Sequence, residues 1–578
     1  MPASDDDDNP AMIDRLPLDA RVILDVGCGD GALGAEYKRR NPAARYLGIE
    51  RDPALARIAA GRLDDVAVVD VEATPLPFDG LRYDCIVYND VLEHLADPWA
   101  VLRAQIQALH PTGSVALCIP NLEHWSFADR LLRGTWNYDS YGLMDRGHLR
   151  WFTEQSTRRA LDEAGLWPTE CVPRVFRREQ AERFVAALEP ALRALGVDMA
   201  DYLRRAAPLQ HVWRATRSEP ARLHVVSTML PPVGGVSQVR VLDPLHALAT
   251  QPAVTTQVAE SLRVPRVPGG AEIFILHRPA LLGADGLALV REVMEAGYLT
   301  VCEFDDHPDF IPILQHPEMY NFSAVHAVQT TIAPLAAILR RHNPEVAVFP
   351  NAAPRLPDVR NYAAAGRINV LFAGLNRDGD WPPYLAALNA AAELARDRLH
   401  FQVVNDRAMF DALRTPHKSF TPLCDYPTYQ ALLSGCEVSF MPLADNPFNR
   451  CKSDLKFVEA AAHRVVALAS PVAYSDSIED GVTGLLFRSP QELQQRLLRL
   501  VASPETGRGI GDAARRYVAS RRMMAYQVAE RIAWYRSLWA RREALNAALL
   551  ARLPALAGQH AAGAAMPVRR FGHSGVPS

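Results

Sequence analysis

Two groups of residues in this chain have the types and spacing to do chemistry. In Val22-Ile-Leu-Asp-Val-Gly-Cys-Gly-Asp-Gly-Ala-Leu-Gly34 an apolar strand runs into a glycine turn and then a helix. Gly27, Gly29 and Gly31 let the backbone turn tightly and approach a ligand at the carboxyl end of the strand. Acids gather around this turn: Asp25, Asp30, Glu50 and Asp70 fall at predicted strand ends or in the adjoining loops. Gly27, Gly29 and Ala32 also satisfy the G-x-G-x-x-G/A pattern of dinucleotide binders, with Glu50 near the place of their ribose acid. A pyrophosphate, however, wants helix N-termini and few negative charges. S-adenosylmethionine carries a sulfonium and an ammonium instead, and carboxylates favour both. Glu50 would then accept from the ribose hydroxyls and Asp70 would face the adenine amine. Any one of these acids reads equally well as a loop or cap residue.

The second group has the opposite sign. Arg450, Lys452 and Lys456 put positive charge at the start of a predicted helix within Asn449–Ala462. Cations there oppose the helix macrodipole, so an anionic ligand such as a nucleotide diphosphate explains them better than stability does. Earlier, the loop Met229-Leu-Pro-Pro-Val-Gly-Gly-Val-Ser237 carries Gly234 and Gly235, which can turn backbone N–H groups toward an anion at a helix start. The plainer reading of that loop is a strand-to-helix turn.

Short β-rich apolar runs alternating with helical patterns position both groups, the signature of parallel sheets flanked by helices. The first stretch predicts strands at Val22–Val26, Tyr46–Ile49, Val66–Val69, Cys85–Tyr88 and Ser114–Ile119, with helices at Pro98–Leu109 and Glu154–Ala164. A polar, Pro-containing joint at Thr216–Arg222 leads to strands at Leu223–Ser227, Ile273–Leu276, Leu299–Glu303 and Val346–Phe349. A third series follows at Ile368–Ala373, Phe401–Val404, Val438–Met441, Val465–Ala469 and Gly484–Phe487, and then one helical run, Gln527–Leu550. The expected domains are 1–217, 222–365 and 366–552. The acidic head Met1–Pro10 is expected to be a solvated terminus, and the tail 553–578, Gly/Ala/Pro-rich from Gly558, to be unstructured.

Val22–Gly34, Tyr46–Glu50 and Tyr83-Asp-Cys-Ile-Val-Tyr-Asn-Asp-Val-Leu-Glu-His-Leu95 resemble the successive motifs of class I S-adenosylmethionine-dependent methyltransferases. Asp145-Arg-Gly-His-Leu-Arg-Trp-Phe-Thr153 resembles a segment of the branch that methylates small molecules and sugars. The resemblance implies a Rossmann-like domain whose cofactor pocket is lined by Asp25, Gly27, Gly29, Glu50, Asp70 and Asn89. Methyl transfer to oxygen needs in-line approach and removal of a proton. Candidate bases are His94, Glu93 and His148; in such a fold His94 faces the methyl group. Glu93 and His94 read alternatively as helix caps or as two ligands of a divalent ion, but no third ligand is visible and no metal is assigned.

Leu223–Leu550 resembles a GT-B glycosyltransferase of the "glycosyl transferases group 1" type, two facing Rossmann-like halves. By that resemblance the Gly234-Gly235 loop contacts a nucleotide-sugar diphosphate. Asn369-Val-Leu-Phe-Ala-Gly-Leu-Asn-Arg377 supplies Arg377 to the phosphates, and Asn449–Ala462 supplies Arg450, Lys452, Lys456 and the ribose partner Glu459. Val346-Ala-Val-Phe-Pro-Asn351 resembles the exit from the first half, and the closing helix is expected to cross back over that half. Of the usual glutamate pair, the first position holds Cys451, with Asp454 nearby but off register. Asp305, Asp306 and His307 would face the cleft, with Asp306 or His307 a candidate for the acceptor; strand-end hydrogen bonding is their plainer reading.

Composition sets the outer limits. With 578 residues, 49% of them hydrophobic, several buried cores are expected. A net charge of -4 and the lack of a basic stripe argue against nucleic acid as a partner. No apolar run reaches the ~18–20 residues of a membrane span. Eight single cysteines show no metal-ligand spacing. The expectation is a cytoplasmic bifunctional enzyme of bacterial surface glycan biosynthesis. It would join methyl transfer to a sugar or glycolipid hydroxyl with glycosyl transfer, and a lipid-linked acceptor would bring it to the inner membrane face. The rivals are a methyltransferase with a non-catalytic carbohydrate-binding GT-B module, an NAD-type oxidoreductase in the first domain, and a scaffold with both sites dead.

Overall fold

The computed structural model describes residues 9–78, 80–230, 235–259, 269–363, 366–375 and 377–557. The chain divides into two compact units, one of residues 1–222 with 249–254, the other of residues 223–248 and 255–578.

The first unit holds a seven-stranded sheet of β1 (Val22–Val26), β2 (Arg45–Glu50), β3 (Asp65–Val68), β4 (Tyr83–Asn89), β5 (Leu109–Pro120), β6 (Trp167–Val175) and β7 (Pro208–Thr216), in the order β3-β2-β1-β4-β5-β7-β6. Pairing is parallel from β3 through β5; β7 runs antiparallel to both β5 and β6. Strand order reverses at β1, which pairs β2 on one side and β4 on the other, and ligands of open α/β sheets bind beyond such a switch point. Asp25 lies in register with Gly48 and Val87, at the level where β1 gives way to the glycine turn.

Strands β6 and β7 lie outside the sequence expectation. Pro168 and Pro173 interrupt β6, which forms the sheet edge where missing N–H donors are tolerated. Strand β7 buries His211 and Arg214 among its apolar residues, so no clean alternation marks it. The head is also partly ordered. Asn9 is buried and caps the short helix Pro10–Ile13, whose Met12 and Ile13 enter the core beside β1. Residues 1–8, with the acidic run, lie outside the described residues.

The second unit holds two six-stranded sheets. One contains β8 (Leu223–Ser227), β9 (Val254–Val258), β10 (Ala271–His277), β11 (Leu299–Glu303), β12 (Ala327–Thr330) and β13 (Val346–Val348), in the order β13-β12-β11-β10-β8-β9. The other contains β14 (Ile368–Ala373), β15 (Leu399–Val404), β16 (Lys418–Thr421), β17 (Val438–Met441), β18 (Val466–Ala469) and β19 (Leu485–Leu486), in the order β16-β15-β14-β17-β18-β19, parallel throughout. The closing helix is two helices, Val528–Ala540 and Arg542–Arg552, broken at Arg541. They return to the sheet of β8–β13: the Tyr535 hydroxyl donates to Gln329 Oε1 at 2.8 Å, and Leu549 joins that sheet's core. The expected unstructured tail begins too early, because Pro554–Ala557 forms a further turn with Leu556 buried in the same core. Among the described residues no helix is long and apolar enough to cross a membrane.

Candidate functional site

In the first unit the glycine turn is as tight as its composition demands. Gly27 has φ 72°, and a Cβ there would meet Val91 Cγ2 at 2.5 Å, so only glycine fits. Gly29, at φ 58°, has open space where a side chain would be. Its N–H donates to Glu50 Oε2 at 3.0 Å, while Glu50 Oε1 accepts from Asp52 N at 2.9 Å, so Glu50 ties the end of β2 to the turn.

Asp25 is 1% exposed. Its Oδ2 accepts from the Tyr46 hydroxyl at 2.9 Å, and its Oδ1 has no hydrogen-bond partner among the described residues. Burial pushes its carboxyl up to about 7, against the help of Tyr46. Asn89, at the end of β4, accepts from Asn9 Nδ2 at 3.1 Å, so the ordered end of the head is tied to the end of that strand. Asp70 is exposed, and its carboxylate accepts from Glu72 N at 2.9 Å, the local cap the sequence also allowed. Asp30 turns to Arg62, 2.5 Å away.

The turn Leu92–His94 directly after β4 carries the candidate bases. The Glu93 carbonyl accepts from Leu149 N and Arg150 N at 2.7 and 3.0 Å, which pins the Asp145–Trp151 loop and brings His148 to His94 with ring centroids 4.7 Å apart. Glu93 is 1% exposed, and neither carboxylate oxygen has a hydrogen-bond partner among the described residues. Burial, with Asp90 and Asp145 nearby, holds that carboxyl well above the usual range. Burial pulls His94 down, and burial together with His94 pulls His148 down, so both present neutral imidazoles.

Ligand atoms of Glu93, His94 and His148 all lie within 4.8 Å of one another. His148, more than fifty residues along the chain, is thus the one group close enough to serve as a third donor beside Glu93 and His94 among the described residues. A second feature also escaped the sequence reading: Trp151 stands 5.6 Å from the His148 ring and Phe127 stands 5.2 Å from Trp151, an aromatic wall beside the histidines. Its signal was the density of Trp and Phe between Trp125 and Phe152.

The second unit has a cleft of about 800 Å³ lined from both of its sheets. Gly235, Asp306, Arg377, Lys452, Lys456 and Glu459 all line it. Gly234 lies outside the described residues. Arg450 is a correction: it belongs to the separate short helix Pro447–Arg450, is exposed, and pairs with Asp445 at 2.6 Å outside the cleft lining. The helix that carries the site begins only at Leu455, so proximity in sequence misplaced Arg450.

Glu459, one turn into Leu455–Ala462, accepts from the Tyr426 and Tyr429 hydroxyls at 2.8 and 3.0 Å. Burial raises its carboxyl to about 7 despite those bonds. Tyr426 and Tyr429, three apart on the helix Tyr426–Ser434, went unread; a Tyr-x-x-Tyr pair on one helix face was their signal. Lys456 Nζ donates to the Ala373 carbonyl, and burial with Arg377 nearby lowers it to about 7. Arg377 contacts Asp380 and Asn449, both at 3.3 Å. Asp306 accepts from Arg278 at 2.9 Å and from Lys452 at 2.5 Å. Cys451 is buried, and Asp454 is held by Arg522 at 2.8 Å and Ser477 at 2.5 Å, so Asp454 does not replace the missing acid.

Residues 8–170 match a family model described as a methyltransferase domain. Similar curated proteins include an uncharacterized 37.1 kDa protein in a transposon of Streptomyces fradiae, 30% identical over 30% of this chain and 52% of that protein. They also include a ubiquinone biosynthesis O-methyltransferase of Cereibacter sphaeroides, 32% identical over 28% of this chain and 66% of that protein. The chain thus spans about half to two thirds of the length of these relatives. Among solved structures, a Thermotoga maritima S-adenosylmethionine-dependent methyltransferase, described as a possible histamine N-methyltransferase, is 16% identical over 34% of this chain and 82% of its own, TM-score 0.25. TarM is 11% identical over 46% of this chain and 54% of its own, TM-score 0.36. The chain carries a methyltransferase domain at residues 8–170, on the α/β sheet of the first unit.

Proposed function

We propose that the chain is a bifunctional enzyme of bacterial surface glycan biosynthesis. Its first unit transfers a methyl group from S-adenosylmethionine to a hydroxyl of a sugar or glycolipid, and its second unit, a GT-B glycosyltransferase, transfers a sugar from a nucleotide sugar. The observation that carries this reading is one of charge. A buried carboxylate oxygen of Asp25 stands without a partner at the switch point of β1, suited to a cationic nucleoside. The half-buried Lys456 ammonium donates to the Ala373 carbonyl, in a cleft shared with Arg377 and Lys452, suited to a diphosphate.

In the first unit Glu50 holds the glycine turn and takes the ribose hydroxyls, and Asp25 supplies negative potential. His94, neutral near pH 7, accepts the proton of the acceptor hydroxyl as it attacks the methyl carbon in line. In the second unit Lys456, Lys452 and Arg377 bind the diphosphate leaving group, and Glu459, ordered by Tyr426 and Tyr429, takes the ribose.

Calorimetry with S-adenosylhomocysteine and a panel of UDP, GDP, CDP, dTDP and ADP tests the reading. Both ligand classes bind; Asp25→Ala abolishes only the first and Lys456→Met only the second. Failure of either class to bind removes that half of the proposal.

Two observations favour second readings. With Cys451 in place of the first acid and Asp454 tied to Arg522, the second unit could bind a nucleotide sugar without transferring it; absence of both hydrolysis and transfer across an acceptor panel would establish that module. The Glu93–His94–His148 triad also fits a divalent cation, because an unpartnered carboxylate and two neutral imidazoles are a standard donor set. Such an ion would supply Lewis acidity to the acceptor hydroxyl. Elemental analysis of the purified chain, with a stoichiometric metal lost in Glu93→Gln, is its test.

A further inference from the structure

The second unit's cleft contains an ion pair that a bound diphosphate would have to break. Asp306 follows β11 on one wall, and Lys452 precedes the helix Leu455–Ala462 on the other. Their side chains are 21% and 17% exposed for Lys452 and Asp306 respectively, and Lys452 Nζ lies 2.5 Å from Asp306 Oδ1. The other oxygen of the same carboxylate, Oδ2, accepts from Arg278 Nη2 at 2.9 Å, and Arg278 is itself fixed by Asp305 at 2.7 Å. One oxygen of Asp306 is thus a structural anchor, and the other is held by Lys452, a lysine on a flexible stem.

That lysine is electrostatically part of the anion site. Lys452 and Arg377 both act to lower Lys456, so the three positive charges share one field. A diphosphate placed among them offers Lys452 more negative charge than a single carboxylate oxygen does. Lys452 also sits 4.2 Å over the Phe448 ring, which leaves its ammonium room to swing without losing its apolar support.

We propose that Lys452 and Asp306 form a donor-released latch: a nucleotide diphosphate captures Lys452, and the freed Asp306 Oδ1, still held in place by Arg278, becomes the acceptor-hydroxyl partner. This rests on the reading of the cleft as a nucleotide-sugar site and deepens it, because it makes donor binding the condition for acceptor engagement. Lys452 acts here as a positioning residue for Asp306 and as a phosphate ligand in turn.

The two roles give opposite mutational signs. Asp306→Asn removes the competitor for Lys452, so the affinity for the diphosphate that binds best among UDP, GDP, CDP, dTDP and ADP rises roughly three- to tenfold. Lys452→Met lowers that affinity, and Lys452→Arg restores most of it. In Lys452→Met the further change Asp306→Asn has no effect, since the competition no longer exists. An affinity that stays level or falls in Asp306→Asn while wild type binds overturns the latch and leaves the donor site standing. Absence of diphosphate binding in both wild type and Asp306→Asn overturns the donor site and the latch with it. Circular dichroism melts confirm that each variant is folded.

Discussion

The glycine turn of the first unit and the cleft of the second lie alike at the carboxyl ends of parallel strands, yet they carry titratable groups of opposite sign without an ionic partner. In the first, Asp25 is buried with one oxygen unpartnered, and burial sets its carboxyl at about 7. In the second, the half-buried Lys456 donates to a carbonyl, and desolvation with Arg377 nearby lowers its ammonium to about 7. A fold that kept only its own stability would pair or remove such groups. On the proposed function, the sign of the group without an ionic partner matches the sign of the ligand at each site, where the backbone architecture does not separate the two.

The largest effect should come from Lys456→Met. Removing the central cation of the anion site should weaken diphosphate binding by two orders of magnitude or more, about 3 kcal/mol, as for truncation of one partner of a desolvated charge pair. Thermal stability should hold or rise, because a half-buried, desolvated charge is replaced by an apolar side chain of similar length. A large affinity loss together with a lower melting temperature would instead mark Lys456 as a structural residue.

Next in size is the glycine turn of the first unit. Gly27→Ala must accept both φ 72° and a Cβ 2.5 Å from Val91 Cγ2, so the melting transition of the first unit should fall by about 2–4 kcal/mol and S-adenosylhomocysteine binding should be lost. Gly29→Ala meets the same sign of φ in open space and should cost only about 1 kcal/mol. Equal losses at the two positions would show that strain alone, without Val91, governs the turn.

These contrasts also show how far sequence alone reached. Strands β1, β8, β11, β14 and β17 match their expected ranges residue for residue, because each is an apolar run bounded by turn signals and buried on both faces. Strands β7 and β12 escaped because polar residues make up so much of them, Gln210, His211 and Arg214 in the one and Gln329 and Thr330 in the four residues of the other, with Arg214 paired to Glu170 and Gln329 to Glu303 and Tyr535. The same long-range pairing hid half of each site. Asp25, Gly27, Gly29 and Glu50 lie in two short segments, Val22–Gly34 and Tyr46–Glu50, whose juxtaposition at the ends of paired strands β1 and β2 follows from the strand pattern, whereas His148 reaching His94 and Tyr426 reaching Glu459 depend on loops and helices that only the folded chain brings together.

A smaller effect, but one with opposite signs, is expected from pH. Binding a cation at Asp25 draws its carboxyl down from about 7 and releases a proton, so S-adenosylmethionine affinity should rise with pH up to about 7, by at most about tenfold per unit, and then level off. The proton that the folded state holds there also means that the first unit loses stability as pH climbs from ~4 to about 7. Asp25→Asn should flatten both curves. Binding an anion at Lys456 raises its ammonium above about 7 and takes up a proton, so diphosphate affinity should fall as pH rises past 7. Glu459, also near 7, adds negative charge over the same range and pushes the same way. Calorimetry in buffers of different ionisation enthalpy measures both proton counts; the same sign at the two sites would break the comparison.

The smallest effect is the sharpest test of where the anion site ends. Arg450 stands two residues from Lys452 and carries the same charge, so a long-range attraction to the helix region would make it count. Its guanidinium is exposed and pairs with Asp445 through Nε at 2.6 Å and Nη2 at 3.0 Å, so its field is neutralised locally and screened by water. Arg450→Ala should therefore change diphosphate affinity by less than about twofold and leave the melting temperature unchanged. A loss comparable with that of Lys452→Met would mean that the Pro447–Arg450 helix turns inward when the ligand arrives, and the cleft would have to be redrawn with Arg450 as part of its wall.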